Sequence, residues 1–182
     1  MLKTDSSLIK ELKKISLNDK DFDELDKIRS NFSKILSERK EKYLNAEEFE
    51  RIICWKLDTQ ANRSKEQRKI NVDGLVIPIT KAYFNINSTS FAYETEVKIK
   101  LLTSLKGVGT PLASSIMALT EPTKYCIIDS VLWAFIYNED KSSFTVNDYL
   151  RFHLYIKNLS QKLDRDIQKT EFTLWKLSMN VK

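Results

Sequence analysis

Glycine and proline are unusually scarce in this sequence. Three residues of each type are spread over 182 positions. Because these two residues form most tight turns and end most helices, a chain with so few of them favours long helices with few sharp reversals. We therefore predict an all-α protein.

Hydrophobic side chains recur three or four positions apart along much of the chain, as on the buried face of an amphipathic helix. The interval 21–44 has this pattern, with lysine, arginine and glutamate on its other faces. Asn45 is the predicted N-cap of the next helix, because Glu47 and Glu48 follow it and acidic side chains favour helix starts. Further helices are predicted near 73–86, 91–105, 111–119, 129–137, 146–163 and 169–179.

The run 74–84 allows an alternative structure. Its β-branched and aromatic side chains are also typical of a strand. Pro78 lies within the run and argues against a central strand, and no second strand is evident to pair with it. We therefore predict a helix at 74–84.

The chain is mildly basic. It has 30 Lys and Arg against 25 Asp and Glu, a formal net charge of +5 and a pI near 9.0. This balance is compatible with an anionic partner such as nucleic acid, although charge alone does not establish one. The segment 58–71 contributes Arg63, Lys65, Arg68 and Lys69. We predict a basic connection or a helix extension near the surface there, either a solvated charge cluster or a contact to phosphate.

Length and composition set further limits. With 182 residues and 42% hydrophobic content, the chain suits one compact domain or two small lobes that share a core. No stretch approaches the roughly 18 consecutive apolar residues that cross a bilayer, and residues 1–6 lack the apolar stretch of a signal peptide. We therefore predict a cytoplasmic protein without a membrane partner.

Residues that bind metals are few. Cys54 and Cys126 are too few for a four-thiolate iron–sulfur cluster or an all-cysteine zinc site, and they suit buried thiols in a reducing compartment. The one histidine, His153, lies in the apolar run 149–156, where a hydrogen-bonded packing role is favoured over a catalytic base. We predict no metal bound by side chains and no organic cofactor. Any catalysis then rests on a carboxylate or a lysine.

The most informative stretch is 101–119. Gly107 and Gly109 are separated by one residue and lie between two helical hydrophobic patterns, and Pro111 stands where a first helical turn tolerates proline. We predict a helix, a tight Gly-x-Gly hairpin and a second helix. The free N–H groups at the start of the second helix would attract an anion such as a DNA phosphate. A plain helix C-cap followed by packing is the alternative for this turn.

The residues of the hairpin have a familiar order. They read Leu105-Lys106-Gly107-Val108-Gly109-Thr110, followed by Ala113. This order closely resembles the helix-hairpin-helix of the HhH-GPD superfamily of DNA glycosylases, which is named for its hairpin, its Gly/Pro-rich loop and its catalytic aspartate.

The resemblance continues after the second predicted helix. Pro122 and the apolar segment 126–128 before Asp129 are similar to the loop and catalytic aspartate of that superfamily, at the usual distance from the hairpin. Met117-Ala118-Leu119, Pro122 and Trp133 are also similar to the 8-oxoguanine glycosylase branch. The clear resemblance spans residues 101–135.

This resemblance implies a compact all-α HhH-GPD fold over residues 1–182, with the hairpin and catalytic loop at 97–137. It implies a monomeric DNA glycosylase whose substrate is double-stranded DNA with a modified or damaged base. Such an enzyme flips the base out of the duplex and hydrolyses the bond that joins it to the sugar. The hairpin residues 105–110 would bind the DNA backbone, and their backbone carbonyls offer a site for a monovalent cation.

Asp129 is the predicted catalytic residue. Cleavage of an N-glycosidic bond builds an oxocarbenium-like sugar, and an ionised carboxylate beside the ring stabilises that charge and orients water. An aspartate directly before a predicted helix is also a common N-cap, which is the alternative role for this residue. The hairpin and the spacing favour the catalytic role.

A weaker resemblance lies upstream. Residues 49–60 begin with Phe-Glu and end with Gln60, like the family helix whose last glutamine fills the gap left by an extruded base. A plain surface residue is the alternative for Gln60, and Arg63 is a further predicted DNA contact. Trp55 and Trp133 are the candidates to line the base pocket, although a tryptophan on an apolar helix is also a common core residue.

The chain departs from the family at the position of the Schiff-base lysine. Bifunctional members carry that lysine two residues after the second glycine, where this sequence has Pro111, and Lys106 stands where the family usually has proline. Because an internal proline cannot form an imine, we predict a monofunctional glycosylase that does not cleave the strand. Lys56 is the candidate for a substitute lysine from another helix. The alternative function is a non-enzymatic helix-hairpin-helix DNA-binding module or partner subunit.

Overall fold

The computed structural model describes residues 6–16, 20–62 and 64–180. Over these ranges the chain forms α-helices and one short 3-10 turn at Asp58–Gln60, with no strand. The helices are α1 (Ser6–Lys14), α2 (Lys20–Ser37), α3 (Ala46–Leu57), α4 (Lys65–Arg68), α5 (Asp73–Asn85), α6 (Phe91–Thr103), α7 (Thr110–Thr120), α8 (Ser130–Tyr137), α9 (Val146–Leu163) and α10 (Ile167–Asn180). The prediction of an all-α protein is confirmed.

Helix α2 ends earlier than the sequence pattern predicted. It stops at Ser37 rather than continuing to position 44. The connection turns back because the Arg39 guanidinium donates two hydrogen bonds to the Glu48 carboxylate, at 2.7 and 2.8 Å. Leu44 is then buried outside any helix, and its backbone N–H and C=O both pair with the Thr80 hydroxyl, at 3.0 and 3.1 Å. The predicted helix over 21–44 is therefore wrong in its last part.

Helix α3 begins as predicted, at the Asn45 N-cap. The Asn45 side chain accepts the N–H of Glu48 at 2.8 Å, and the Glu48 carboxylate accepts the N–H of Asn45 at 3.0 Å. This reciprocal capping box satisfies two amides that the helix would otherwise leave unpaired. It fixes the start of the helix that carries Trp55 and Lys56 in its last turns.

The run 74–84 is helical, within α5, and the strand alternative is wrong. Pro78 lies inside the helix and removes one backbone hydrogen bond. The helix continues through it because Val76, Thr80 and Tyr83 lie on one buried face.

Helix α7 belongs to the core and organises the region around its own start. Its side chains are all buried from Ala113 to Leu119, and it packs against α2, α3 and α6. Helix α10 packs against α8, α9 and α1. No helix in the described ranges has the length and apolar character needed to cross a bilayer.

Candidate functional site

Asp129 uses its two carboxylate oxygens for two different contacts. Oδ1 accepts the N–H of Val131 at 2.8 Å and so caps α8. Oδ2 accepts a hydrogen bond from Lys56 Nζ at 3.0 Å, and each of these two side chains is 20% exposed. The N-cap alternative is therefore correct as geometry, and it leaves the second oxygen facing Lys56.

The surroundings of Asp129 favour its charged form. Burial by itself raises the pKa of Asp129, but the charge and hydrogen bond of Lys56 and the amides at the start of α8 outweigh it and lower the pKa below its ordinary value. Asp129 is therefore a carboxylate at neutral pH, in a partly desolvated environment.

Two buried hydrogen bonds place Asp129 at the end of its connecting segment. The Ser114 hydroxyl on α7 accepts the N–H of Ile128 at 3.1 Å. The Tyr149 hydroxyl on α9 donates to the carbonyl of Cys126 at 3.1 Å. Helices α7 and α9 thereby hold the segment before α8 from two sides, and Asp129 reaches Lys56 on α3.

Two cavities meet at the pair formed by Lys56 and Asp129, and both residues line each of them. The first, here called the hairpin cleft, has a volume of about 410 Å³ and is also lined by Gln60, Ser64, Gly107, Gly109, Pro111, Leu112 and Ser130. The second, here called the aromatic pocket, has a volume of about 430 Å³ and is also lined by Trp55, Ile127, Glu171, Phe172 and Trp175. Volumes of this size are typical of small-molecule sites.

The hairpin between α6 and α7 is held in a fixed shape. The Asn71 amide donates to the carbonyl of Lys106 at 2.9 Å and accepts the N–H of Lys106 at 3.0 Å. Gly107 has a φ of +75°, and a Cβ built there would lie 2.8 Å from Arg68 Cγ. Position 107 therefore requires glycine for its backbone angle and for its close neighbour.

Gly109 differs from Gly107. Its backbone is extended, and a Cβ built there would meet only Pro111 Cδ at an ordinary 3.7 Å. It is the N-cap of α7 and has no side chain that could accept hydrogen bonds from the helix start. The first backbone N–H groups of α7 therefore have no side-chain cap and lie beside the cleft. The protein itself does not require glycine at position 109.

The segment 58–71 is not a solvated basic cluster throughout. Arg68 is 3% exposed, which corrects its predicted surface position. Its guanidinium donates to both oxygens of Glu50, at 2.7 and 2.9 Å, and to the carbonyl of Ala61 at 2.9 Å. Arg68 is therefore buried beneath the hairpin and links Glu50 to Ala61 through hydrogen bonds. Lys65 and Lys69 are exposed, and Arg63 lies outside the described residues.

The predicted hairpin contacts divide into buried and exposed side chains. Leu105, Val108 and Thr110 are buried and can offer a ligand only their backbone groups. The Thr110 hydroxyl is used internally, since it donates to the carbonyl of Phe144 at 2.7 Å. The Lys106 side chain is exposed.

The two predicted tryptophans lie in different environments. Trp55 is half-buried and lines the aromatic pocket. Trp133 is completely buried, with its ring centroid 4.2 Å from that of Tyr137, and it lines neither cavity. The prediction that Trp133 lines a base pocket is therefore corrected, since its apolar helix face is turned into the core. Gln60 is exposed and lines the hairpin cleft.

His153 lies away from both cavities. It is buried, its Nε2 lies 2.9 Å from the carbonyl oxygen of Lys124, and its ring centroid is 4.4 Å from that of Phe91. These contacts fit the packing role. Within 6–16, 20–62 and 64–180, no three His, Cys, Asp or Glu side chains are grouped so as to hold a metal ion.

Glu171 belongs to the site but was not among the residues predicted from the sequence. It is 6% exposed on α10, lines the aromatic pocket, and accepts the N–H of Ile127 at 3.4 Å. Burial raises the pKa of Glu171 to about 8, with Lys56 opposing the rise and Asp129 adding to it. The available signal was the spacing of Glu171 and Trp175, which puts a carboxyl group and an indole on one helix face.

Comparisons with known proteins do not identify a relative: the chain matches no profile of a known family, no characterised protein and no solved structure. The chemistry of the site is therefore judged from its own residues.

The buried Glu171 carboxyl has a measurable effect on stability. Its pKa is about 8 in the folded chain against an ordinary 4.5, so the folded state holds an extra proton between these pH values. The associated stability is complete below about pH 4.5 and falls as pH rises to about 8, by at most about 1.4 kcal/mol per pH unit. We expect Glu171→Gln to remove this pH dependence. The free energy of unfolding of the variant should therefore increase relative to that of the parent as pH rises.

Urea unfolding of both proteins across this pH range measures the difference. Glu24→Gln is the matched control, because Glu24 lines the same pocket but is exposed. Parallel stability curves for the parent and Glu171→Gln would show that Glu171 is not held neutral.

Proposed function

We propose that this protein is a monofunctional DNA glycosylase of the HhH-GPD type, which removes a damaged or modified base from double-stranded DNA. The observation that carries the proposal is the contact between Lys56 and Asp129. These residues are 73 positions apart in the sequence, and they meet at 3.0 Å where the hairpin cleft joins the aromatic pocket.

The state of Asp129 supports this chemistry. As the bond between the base and the sugar breaks, positive charge develops on the sugar ring. A carboxylate that is already ionised and fixed in place stabilises that charge without reorganising at the moment of reaction. Water then adds to the C1′ carbon, and its proton goes to the departing base. The contacts from Val131 and Lys56 hold Asp129 in the required state.

The hairpin cleft supports the binding of a DNA backbone. Its wall contains the uncapped start of α7, and backbone amides at a helix start attract phosphate. The exposed side chain of Lys106 lies in the same turn. Gln60 also lines the cleft, and it is exposed and available to enter the gap that an extruded base leaves.

The environment of Lys56 supports a reaction without strand cleavage. Imine formation requires an amine that is free to attack the sugar, and Lys56 Nζ is instead held by its hydrogen bond to the Asp129 carboxylate at 3.0 Å. We expect the product to be an intact abasic strand that breaks only on later alkali treatment, and borohydride to trap little covalent complex. Denaturing gels with and without alkali measure both. Efficient trapping by the parent that disappears in Lys56→Arg would instead assign a strand-cleaving reaction to Lys56.

The decisive experiment is release of free bases from a panel of duplexes that each carry one modified base, with chromatographic identification of the product. The proposal expects release from at least one duplex. DNA binding without release from any member would favour the alternative, a helix-hairpin-helix DNA-binding module without turnover.

A further inference from the structure

We infer that the aromatic pocket receives the extruded base, and that Glu171 selects bases presenting a hydrogen-bond acceptor next to a donor. This inference rests on the proposed function and adds a substrate class to it. Accepted bases would keep an intact lactam or amidine edge, so their modification would lie elsewhere on the ring.

The placement of the two cavities is the first support. In a nucleotide the sugar lies between the phosphate and the base. Lys56 and Asp129 line both cavities, so a sugar held at this pair has the hairpin cleft on one side and the aromatic pocket on the other. With the DNA backbone bound in the hairpin cleft, the base attached to the same sugar lies in the aromatic pocket.

The lining of the pocket suits a base and not a phosphate. Trp55, Phe172 and Trp175 offer aromatic surface, and the rings of Phe172 and Trp175 are nearly parallel, at an interplanar angle of 9°. Nucleobases stack on such rings. Asp21 and Glu24 also line the pocket, and their negative charge disfavours an anion.

Glu171 is the polar group placed to recognise the base. It is more than nine-tenths buried in the pocket wall. The N–H of Ile127 reaches Oε2, while Oε1 has no hydrogen-bond partner within the described part of the chain. A carboxyl group that lines a cavity and keeps one oxygen without a protein partner can bind a ligand that supplies one.

Burial decides which hydrogen bonds Glu171 can make. Because its pKa is raised to about 8, the carboxyl is neutral at pH 7, with one O–H donor beside one C=O acceptor. This pair is complementary to an acceptor and a donor on adjacent atoms of a base. A base that is alkylated on that edge cannot form both bonds.

The other titratable groups around Glu171 keep their state near neutral pH. Burial raises the pKa of Cys126 and of Tyr149 far above their ordinary values, so both stay neutral. Asp129 stays ionised, because its pKa is lowered. The remaining charged groups at the pocket are Lys56 on α3, Asp21 and Glu24 on α2, and Asp58.

Tryptophan fluorescence of the intact chain tests the inference without requiring turnover. Trp55 and Trp175 line the pocket, whereas Trp133 is buried elsewhere, so a base that enters quenches two of the three tryptophans. The probes are nucleosides with intact lactam or amidine edges, the same nucleosides methylated on that edge, and 2-deoxyribose. We expect quenching by intact nucleosides, binding weaker by about tenfold or more after edge methylation, and none by the sugar.

Variants of position 171 give the specific readout. Glu171→Ala should weaken binding by about tenfold or more, whereas Glu171→Gln keeps an adjacent donor and acceptor and should still bind. Binding of amidine-edged nucleosides to the parent should fall by about tenfold per pH unit above the pKa of Glu171, and Glu171→Gln should abolish this dependence. Glu139→Gln is the control, because Glu139 is exposed and lines neither cavity, and it should bind like the parent.

The outcomes separate the two proposals. Quenching that is unchanged by Glu171→Ala and by edge methylation overturns the role of Glu171, even where the parent releases bases from DNA. Quenching with the expected dependence on Glu171, but without base release from any duplex, supports the pocket assignment and overturns the proposed glycosylase activity.

Discussion

The Asp129→Asn variant is expected to lose about a hundredfold or more of the single-turnover rate of base release while it folds like the parent. Asparagine has nearly the shape of aspartate, and its side-chain oxygen can still accept the N–H of Val131 and cap α8. What disappears is the negative charge that faces the developing cation on the sugar. Rapid-quench assays on one accepted duplex measure the rate, and thermal melting measures folding.

Asp148→Asn is the matched control for this prediction. Asp148 also lies at a helix start, in the capping box of α9, and it also pairs with a lysine, Lys141, at 2.8 Å. It lines neither the hairpin cleft nor the aromatic pocket. The control should lose some stability and keep its rate. Parental single-turnover rates in Asp129→Asn would leave capping as the only role of Asp129.

The second large effect is expected at Gly109, where a bulky side chain should weaken DNA binding without unfolding the protein. The Cβ of a valine there meets only Pro111 Cδ, at an ordinary 3.7 Å, and the side chain stands in front of the first amides of α7. Losing charge-assisted hydrogen bonds to one phosphate lowers affinity by about tenfold to a hundredfold. The loss should be the same for all sequences, and the salt dependence should become shallower by about one phosphate contact.

Two further glycine variants make this result specific. Gly74→Val is the matched control, because a Cβ at position 74 has nothing within 4 Å, and it should bind DNA normally. Gly107→Val should instead lower the melting temperature, since valine disfavours a φ of +75° and would collide with Arg68. Unchanged DNA affinity of a folded Gly109→Val protein, measured by fluorescence anisotropy over a range of salt concentrations, would remove the hairpin as the DNA anchor.

The features predicted correctly from the sequence are those encoded by neighbouring residues. The Asn45 cap and the helices on either side of the Gly-x-Gly turn depend on residues within about one helical turn, and local signals of that range are readable without a fold. The contact between Lys56 and Asp129, in contrast, depends on the tertiary fold. The family resemblance made Asp129 a candidate, and Lys56 became one only as a substitute for the family lysine that Pro111 replaces.

The errors share a physical origin. Helix α2 ends at Ser37 because Arg39 binds Glu48 on another helix. The hydrophobic pattern of 21–44 gives no indication of that contact. Arg68 is buried because Glu50 lies beneath the hairpin to receive it. A charged residue is predicted to be exposed unless its partner is known, and the partner becomes known only from the fold.

The same reason applies to the site residues that the sequence ranked poorly. Trp55 and Trp133 both lie on apolar helices, yet one lines a cavity and the other fills the core. From the sequence alone, Glu171 resembles an ordinary surface residue of a helix. It is buried in the fold because the segment at Ile127 packs against it. Which face of a helix is covered depends on its neighbours, so the composition of a pocket is the last property that a single sequence reveals.

The rigid support of the hairpin has a consequence for how rare lesions would be found. Asn71 and Arg68 fix the hairpin before any DNA arrives, so an encounter with the duplex requires no ordering of the loop. Phosphate contacts that form and break without loop rearrangement allow a protein to slide and hop along DNA. The two buried side chains beneath the hairpin would thereby set how many base pairs the proposed glycosylase inspects in each encounter with DNA.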